Sequence, residues 1–247
     1  MGRDGVTIIA LRGQVSPGTM DVVSAPLRLD LVSSCADPRA VVLFLHGGQE
    51  RSTEPVRDRH ASWWRVLLLA RSLRGFAAAE RLELRLLQFR HRGWNGPTDP
   101  SPVVDAREAL ATLAAERPGV PVVLVGHSMG GRTACRVADD PGVVGVVALA
   151  PWLPEGEPNA TLAGKDLHVL HGSIDQWTSP HWSRVFVERT RQIARTATWT
   201  SLPGAGHFMF RRVRDWRTFV EDSVRAILQI PADPPATAEE AHDRPHR

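Results

Sequence analysis

A serine lies between two glycines directly after a run of β-branched and apolar residues. The segment VVLVGHSMGG spans residues 122–131 and contains the pattern Gly-x-Ser-x-Gly at Gly126, Ser128 and Gly130. A serine at a sharp strand-to-helix turn presents its hydroxyl to solvent, and small residues two positions away avoid collisions between strand and helix. The pattern predicts that Ser128 is a nucleophile. The alternative is a glycine-rich turn that only ends a strand.

The predicted nucleophile requires a base and an acid, because a serine hydroxyl alone is weakly nucleophilic. Asp175 follows the strand-like segment DLHVLHG, and His207 follows TATWTSLP within GAGHF. The chain order serine, aspartate, histidine is the one found with such serine turns. We predict that His207 is the general base and that Asp175 orients it. Glu155 and Glu157, which follow the segment VVGVVALA, are the alternative position for the acid.

These residues could meet only if several strands end at one edge of a sheet. Apolar runs predict strands at 6–11, 27–32, 40–45, 82–89, 120–126, 143–150, 166–172 and 196–203. Helical spacing predicts helices within 62–79, 103–116, 130–139, 180–194 and 213–228. Strands rich in Val, Ile and Leu that alternate with helices indicate an α/β fold, with a mostly parallel sheet covered by helices on both faces. No helix separates the first two strands, which are therefore expected to form an antiparallel start.

The length and composition limit the number of domains and the kinds of protein that the chain can form. The chain has 247 residues, of which 43% are hydrophobic and 23% charged, so it can form one sizeable domain. We predict a single domain over residues 1–229. The segment 230–247, rich in Pro, Ala and charge, is predicted to be disordered. Two isolated cysteines indicate neither a disulfide framework nor a zinc site.

Several partners are excluded at this stage. No segment approaches the roughly 20 apolar residues of a membrane helix, and the first residues lack the layout of a signal peptide. A cytoplasmic location is therefore expected, without membrane contact. Acidic residues (27) are interspersed among basic ones (30), whereas a nucleic-acid surface would cluster the basic residues. No metal and no organic cofactor is implied by the predicted chemistry.

Four segments together resemble the α/β-hydrolases. They are LFLHGGQ (43–49), GHSMGG (126–131), LHGSIDQWTSP (170–180) and GAGHF (204–208), and the similarity covers about residues 5–229. The resemblance implies an eight-stranded, mostly parallel sheet with a Ser-His-acid triad and an oxyanion hole at its carboxyl edge. It places one oxyanion donor on the loop after strand 40–45, where the N–H of Gly48 is preferred and Gly47 or Gln49 are alternatives. The second donor would be the N–H of Met129.

The segments around the predicted site indicate the nature of its pocket. Trp94, Trp152 and Trp177 lie on loops at the expected sheet edge and could supply an apolar wall for substrate. Only residues 151–165 separate two predicted strands where many α/β-hydrolases insert a helical cap, so an open site with a minimal lid is expected. The charged run ERSTEPVRDRH (50–60) is interpreted as a solvated loop, with an arginine rim that binds an anionic substrate group as the alternative.

The predicted activity is hydrolysis of a carboxylic ester or thioester. The substrate would be a small acyl ester or thioester, bound without a cofactor. Two alternatives remain at the level of sequence. The same triad could perform acyl transfer or cyclisation in a biosynthetic pathway, or the fold could serve as a ligand-binding protein with slow turnover. An intact set of serine, histidine and aspartate favours an enzyme over a binding protein.

Overall fold

Residues 27–231, which the computed structural model describes, form a seven-stranded sheet with flanking helices. The strands are β1 (Arg28–Ser33), β2 (Ala40–Leu45), β3 (Leu82–Gln88), β4 (Val122–His127), β5 (Val143–Leu149), β6 (Asp166–Gly172) and β7 (Thr196–Leu202). The helices are α1 (Ala61–Ser72), α2 (Arg74–Ala79), α3 (Ser101–Glu116), α4 (Met129–Arg136), α5 (Pro180–Thr190) and α6 (Val213–Leu228). A 3₁₀ turn covers Ala160–Leu162.

The strand order is β1-β3-β2-β4-β5-β6-β7. β1 pairs with β3 in antiparallel fashion, and the other five neighbouring pairs are parallel. The prediction of a mostly parallel sheet with an antiparallel start is confirmed. The predicted strand 6–11 lies outside the described residues, as does nearly all of the predicted tail 230–247. The eighth strand and the disorder of the tail therefore remain predictions.

The centre of the sheet is covered on both faces. All six residues of β2 and all six residues of β4 are buried, although successive side chains of a strand point to opposite faces. Helices supply the cover: α1 packs against β1, β2 and β3, while α4 and α6 both contact β4 and β5. Among residues 27–231, no helix is long and apolar enough to cross a membrane.

The helix predicted within residues 62–79 consists of two helices. α1 ends before Leu73, whose φ of −90° and ψ of 0° depart from helical values, and α2 begins at Arg74. Gly75 follows at once, and glycine is a poor helix former because it loses much conformational freedom on folding. Leu73, at the break, and Phe76, in α2, are both buried.

The carboxyl ends of the parallel strands bring four loops to one edge. The loop 46–49 follows β2, and Ser128 follows β4 directly. Asp175 lies three residues beyond β6, and His207 five residues beyond β7. Since these strands run in the same direction, their loops meet at the same edge of the sheet.

Candidate active site

Ser128 is the single residue between β4 and α4, and its backbone is strained. Its φ is 57° and its ψ is −119°. A non-glycine residue in such a region costs about 1–3 kcal/mol, which the surrounding structure must offset. The carbonyl oxygen of Ser128 accepts hydrogen bonds from the N–H groups of Gly131 and Trp152, both at 3.0 Å. The strained turn is thus fixed from two sides.

The glycines of the serine turn are required by close backbone approach. A Cβ on Gly130 would overlap the carbonyl of Leu45 at the end of β2, and a Cβ on Gly126 would overlap the carbonyl of Gly130. These obstacles are backbone atoms, which cannot rotate away as a flexible side chain could. The spacing of the two glycines therefore follows from the packing of α4 against β2 and β4.

Gly130→Ala is expected to destabilise the protein by roughly 3 kcal/mol, at the upper end of overpacking effects. Urea unfolding followed by circular dichroism measures the change. Gly75→Ala is the matched control, because a Cβ there meets no atom within 4 Å. In a helix this change should stabilise by about 0.5–1 kcal/mol. Equal effects of the two substitutions would contradict the steric explanation.

The structure brings together the three residues predicted for the chemistry. His207 Nε2 lies 3.0 Å from Ser128 Oγ, and His207 Nδ1 lies 2.9 Å from Asp175 Oδ2. Ser128 and His207 are buried to all but 9% and 7% of their surface, so water has limited access to the pair. In this arrangement Nε2 can accept the serine proton while Nδ1–H donates to the carboxylate.

Asp175 is held as a carboxylate by a full set of donors. Its Oδ1 accepts hydrogen bonds from the backbone N–H groups of Trp177 (2.8 Å) and Thr178 (3.0 Å). Its Oδ2 lies within reach of His207 and also of His171 Nε2, at 3.2 Å. Burial alone would raise the pKa of Asp175. The hydrogen bonds from His171, His207 and Thr178 outweigh burial and hold this pKa well below its usual range.

A chain of hydrogen bonds orients His171 toward the acid. Trp199 Nε1–H donates to Ser183 Oγ (2.9 Å), which lies 2.8 Å from His171 Nδ1. If the Ser183 hydroxyl donates to Nδ1, then Nε2 of His171 carries the proton and donates to Asp175. A histidine within a strand is more often a core residue than a catalytic one, so the sequence did not predict a role for His171 in the site. Its position in β6, four residues before the acid, was the available signal.

Thr178 is a further residue that the sequence did not single out. Its hydroxyl lies 3.0 Å from Asp175 Oδ2 and 3.2 Å from each of His207 Nδ1, His171 Nε2 and the carbonyl oxygen of Ala150. With both histidine nitrogens protonated toward Asp175, the hydroxyl can donate only to Asp175 Oδ2 or to the carbonyl oxygen of Ala150. Because Thr178 is buried, its hydroxyl is part of the buried polar cluster beside His207.

Two other histidines near the serine are buried and neutral. His46 Nδ1–H donates to the carbonyl oxygen of Gly47 (2.6 Å), while Nε2 accepts the N–H of Phe89 (3.2 Å). Burial lowers the pKa of His46 to about 4. His127 Nε2–H donates to the carbonyl oxygen of His207 (2.9 Å), and burial lowers the pKa of His127 to about 3. Their hydrogen bonds to the backbone indicate structural roles for both histidines.

We expect the free energy of unfolding to fall as the pH drops from about 6.5 toward 4. The unfolded state binds protons on both histidines near pH 6.5, whereas the folded state resists protonation until about 4 for His46 and 3 for His127. Each contributes up to about 1.4 kcal/mol per pH unit in this window. Urea unfolding at pH 7.5, 6 and 5 measures the slope. His46→Gln should reduce that slope, and a slope unaffected by the substitution would contradict the argument.

The loop after β2 leaves two N–H groups beside the serine. The N–H of Gln49 donates to the carbonyl oxygen of Arg92 at 2.7 Å and is therefore occupied. Among residues 27–231, the N–H groups of Gly47 and Gly48 have no hydrogen-bond acceptor. A Cβ on Gly48 would overlap the side chain of Met129, so the two segments lie in contact. The N–H of Met129 begins α4 and has no intrahelical acceptor.

Comparison with known proteins identifies the family. The sequence profile described as the alpha/beta hydrolase family matches residues 42–246. The chain belongs to the alpha/beta hydrolase family. None of the curated proteins matches this sequence.

Several solved structures share the fold of this chain at low sequence identity. A serine hydrolase without lid from Xanthomonas campestris is 21% identical, with a TM-score of 0.59 over 84% of this chain and 90% of that one. The esterase Est2 of Thermogutta terrifontis, with butyrate bound, is 17% identical, with a TM-score of 0.62 over 87% and 94% of the two chains. Est1E of Butyrivibrio proteoclasticus, with ferulic acid bound, is 13% identical, with a TM-score of 0.60 over 82% and 96%.

The serine of this α/β-hydrolase opens into a cavity of about 640 Å³. Trp152, Trp177 and Phe208 supply apolar lining, and Gly48 and Met129 lie at its base beside Ser128. Trp177 also stacks over the ring of His207 at a centroid distance of 6.5 Å. Residues 151–165 contribute only a loop and one 3₁₀ turn, so the expectation of a minimal lid holds.

Trp94 does not line the cavity of this α/β-hydrolase, contrary to the sequence-based expectation. It is 6% exposed, because hydrogen bonds to Gln49 pull its loop inward, and its ring packs edge-on against Trp152. The guanidinium of Arg132 lies 4.0 Å from the ring of Trp94 and 4.6 Å from that of Trp152. Trp94 therefore supports Trp152 from behind.

The alternative acid, Glu157, has a different partner. It is buried and forms an ion pair with Arg132 at 2.6 Å, rather than approaching His207. No cluster of three or more His, Cys, Asp or Glu side chains suited to a metal ion occurs within residues 27–231.

Proposed function

We propose that this α/β-hydrolase is a serine hydrolase that cleaves a small carboxylic ester or thioester. The observation that carries the proposal is the 3.0 Å approach of His207 Nε2 to the hydroxyl of Ser128. The strained turn holds that hydroxyl at the base of the cavity. Esterases with butyrate or ferulic acid bound share the fold, which supports acyl groups of comparable size as substrates.

In the proposed reaction Ser128 Oγ attacks the carbonyl carbon while His207 Nε2 takes the hydroxyl proton. Asp175 stabilises the resulting imidazolium through Nδ1–H. The oxygen of the tetrahedral intermediate accepts hydrogen bonds from the N–H groups of Gly48 and Met129, which are fixed before the reaction. His207 then protonates the leaving alcohol or thiol, and the acyl-enzyme forms.

The second half of the reaction restores the enzyme. His207 Nε2 removes a proton from water, the resulting nucleophile attacks the acyl carbon, and the bond to Ser128 Oγ breaks with return of the proton. No helical cap formed by residues 27–231 covers the cavity, so water can enter it. The apolar lining from Trp152 and Trp177 suits an acyl chain or an aromatic ring.

The proposal is tested by turnover and by covalent labelling. A panel of 4-nitrophenyl esters and acyl thioesters of graded chain length should be hydrolysed, and a fluorophosphonate probe should modify Ser128, as located by peptide mass spectrometry. Product analysis with added alcohols and amines separates hydrolysis from acyl transfer. Labelling of a serine other than Ser128, or absence of both turnover and labelling, would refute the proposal.

A further inference from the structure

The lining of the cavity includes three arginine side chains. Arg59, Arg65 and Arg92 line it, together with one carboxylate, Glu50. Arg92 forms an ion pair with Glu54 outside the cavity lining. Arg59 and Arg65 have no ion-pair partner within residues 27–231, so these two guanidinium groups bring positive charge to the cavity that only Glu50 in its lining can offset.

Among these arginines, Arg65 is partly buried and has, in the described part of the chain, no hydrogen-bond or ion-pair partner that would account for its burial. It lies in α1 and is partly buried, and burial lowers the pKa of its guanidinium. Its Nε is buried without a hydrogen-bond partner among the described residues. Its terminal nitrogens have no partner there either, and they are not buried, so they remain open to the cavity.

Other partly buried arginines of this protein are neutralised by carboxylates. Arg90 pairs with Asp105 at 2.7 Å, and Arg85 pairs with the buried Glu83 at 2.6 Å. A buried charge without such a partner is costly, because it loses hydration and gains no compensating hydrogen bond. Arg65 therefore departs from the pattern of the rest of the fold, and it does so in the lining of the cavity that also contains Ser128.

Aromatic contacts compensate only part of this cost. The guanidinium of Arg65 lies 4.7 Å from the ring of Phe208 and 5.1 Å from that of Phe210. Phe210 is 74% exposed, so its contact is screened by water, and exposed cation–π pairs contribute about 0.5–1 kcal/mol. These rings orient the guanidinium beside His207 and leave its hydrogen-bond donors free.

We propose that Arg65, assisted by Arg59, binds an anionic group of the substrate. Preferred substrates would be esters or thioesters that carry a carboxylate beyond the reacting carbonyl, with their apolar part against Trp152 and Trp177. The inference rests on the proposed esterase activity and adds a substrate class to it. A guanidinium donates two parallel hydrogen bonds to a carboxylate, which fixes the orientation as well as the affinity of the ligand.

Two pairs of substrates test the proposal and show which side of the ester carries the anion. Mono-4-nitrophenyl glutarate is compared with 4-nitrophenyl valerate, which has the same acyl length. In the second pair, 4-acetoxybenzoate is compared with its neutral methyl ester. Here the carboxylate lies on the phenol leaving group rather than on the acyl group. In Arg65→Gln the ratio of kcat/KM for the anionic over the neutral member should fall about 10- to 100-fold in at least one pair, as expected for a lost hydrogen bond to a charged group.

Two further variants are controls. Arg65→Lys keeps the charge and should retain part of the ratio. Arg71→Gln removes the same charge from α1 outside this cavity and should leave the ratio unchanged. Arg65→Gln should keep its melting temperature, because it removes an unpaired, partly buried charge. Hydrolysis of neutral esters by Arg71→Gln should stay within about twofold of the parent protein, given that this residue lies outside the cavity and the reacting groups are untouched.

The outcomes separate this inference from the proposed activity. An unchanged ratio in Arg65→Gln, or an equal fall in Arg71→Gln, would refute the anion site while ester hydrolysis stood. If the parent protein showed neither turnover nor labelling, the activity would fail, and calorimetric titration of monomethyl glutarate would test the site alone. Saturable binding of monomethyl glutarate to the parent protein that is lost in Arg65→Gln would support the anion site. No binding to the parent protein, or equal binding to Arg65→Gln, would overturn it.

Discussion

Ser128→Ala is expected to lower kcat for 4-nitrophenyl butyrate about 10⁶-fold, comparable with the loss of the nucleophile in known serine hydrolases. Without Oγ no acyl-enzyme can form, and the remaining rate comes from the oxyanion donors and from substrate binding. Alanine also lacks the side chain that lies 3.0 Å from His207, so labelling by a fluorophosphonate should disappear. Steady-state kinetics and gel-based labelling measure the two effects.

The matched control for this prediction is Ser72→Ala. Ser72 ends α1 and does not line the cavity, so its removal should leave turnover and labelling intact. Circular dichroism should show that Ser128→Ala folds, because alanine adds no atom to the strained turn. Turnover by Ser128→Ala within about tenfold of the parent protein would exclude Ser128 as the nucleophile, since such a loss is far below that of a missing nucleophile.

The parts of the site that the sequence predicts are those that follow from strand ends. Ser128, Asp175 and His207 each follow a parallel strand, and the order of the strands determines that their loops meet. The bounds of β2 and β6 agree with the apolar runs 40–45 and 166–172. Periodicity and turn residues are local signals, and they suffice where local sequence decides the structure.

The contacts that the sequence does not predict depend on packing between distant elements. His171 reaches Asp175 only because α5 and β7 supply Ser183 and Trp199 to orient its ring. Arg65 faces the cavity because of the rotation of α1 on the sheet, which no pattern in ASWWRVLLLARS specifies. Trp94 looked exposed from its loop position, but long-range hydrogen bonds to Gln49 bury it.

Asp175→Asn is the second substitution with a large expected effect, a decrease in kcat of about 10⁴-fold. The two backbone N–H groups of Trp177 and Thr178 bind Oδ1, so they should hold the amide oxygen at that position. The amide NH₂ would then replace Oδ2 and face His207 Nδ1. His207 would be forced to carry its proton on Nε2, the tautomer that cannot accept the serine proton.

The local structure should survive this change, because the neighbouring histidine can adapt. With an NH₂ group at the Oδ2 position, His171 can present an unprotonated Nε2 and donate from Nδ1 to Ser183 Oγ. Ser183 can in turn donate to the carbonyl oxygen of Pro180, which lies 2.9 Å away. Folding is therefore preserved while the proton transfer is lost. The melting temperature of Asp175→Asn should stay close to that of the parent protein, although its kcat falls.

Two variants decide whether Asp175 or a rival is the acid. Asp139→Asn removes a carboxylate paired with Arg107 on the surface and should leave kcat unchanged. Glu157→Gln disrupts the pair with Arg132 behind Trp152 and should raise KM more than it lowers kcat. If Asp175→Asn kept kcat within about tenfold while Glu157→Gln lost about 10⁴-fold, the orienting carboxylate would be Glu157, since only that residue then shows the loss expected of a wrong tautomer.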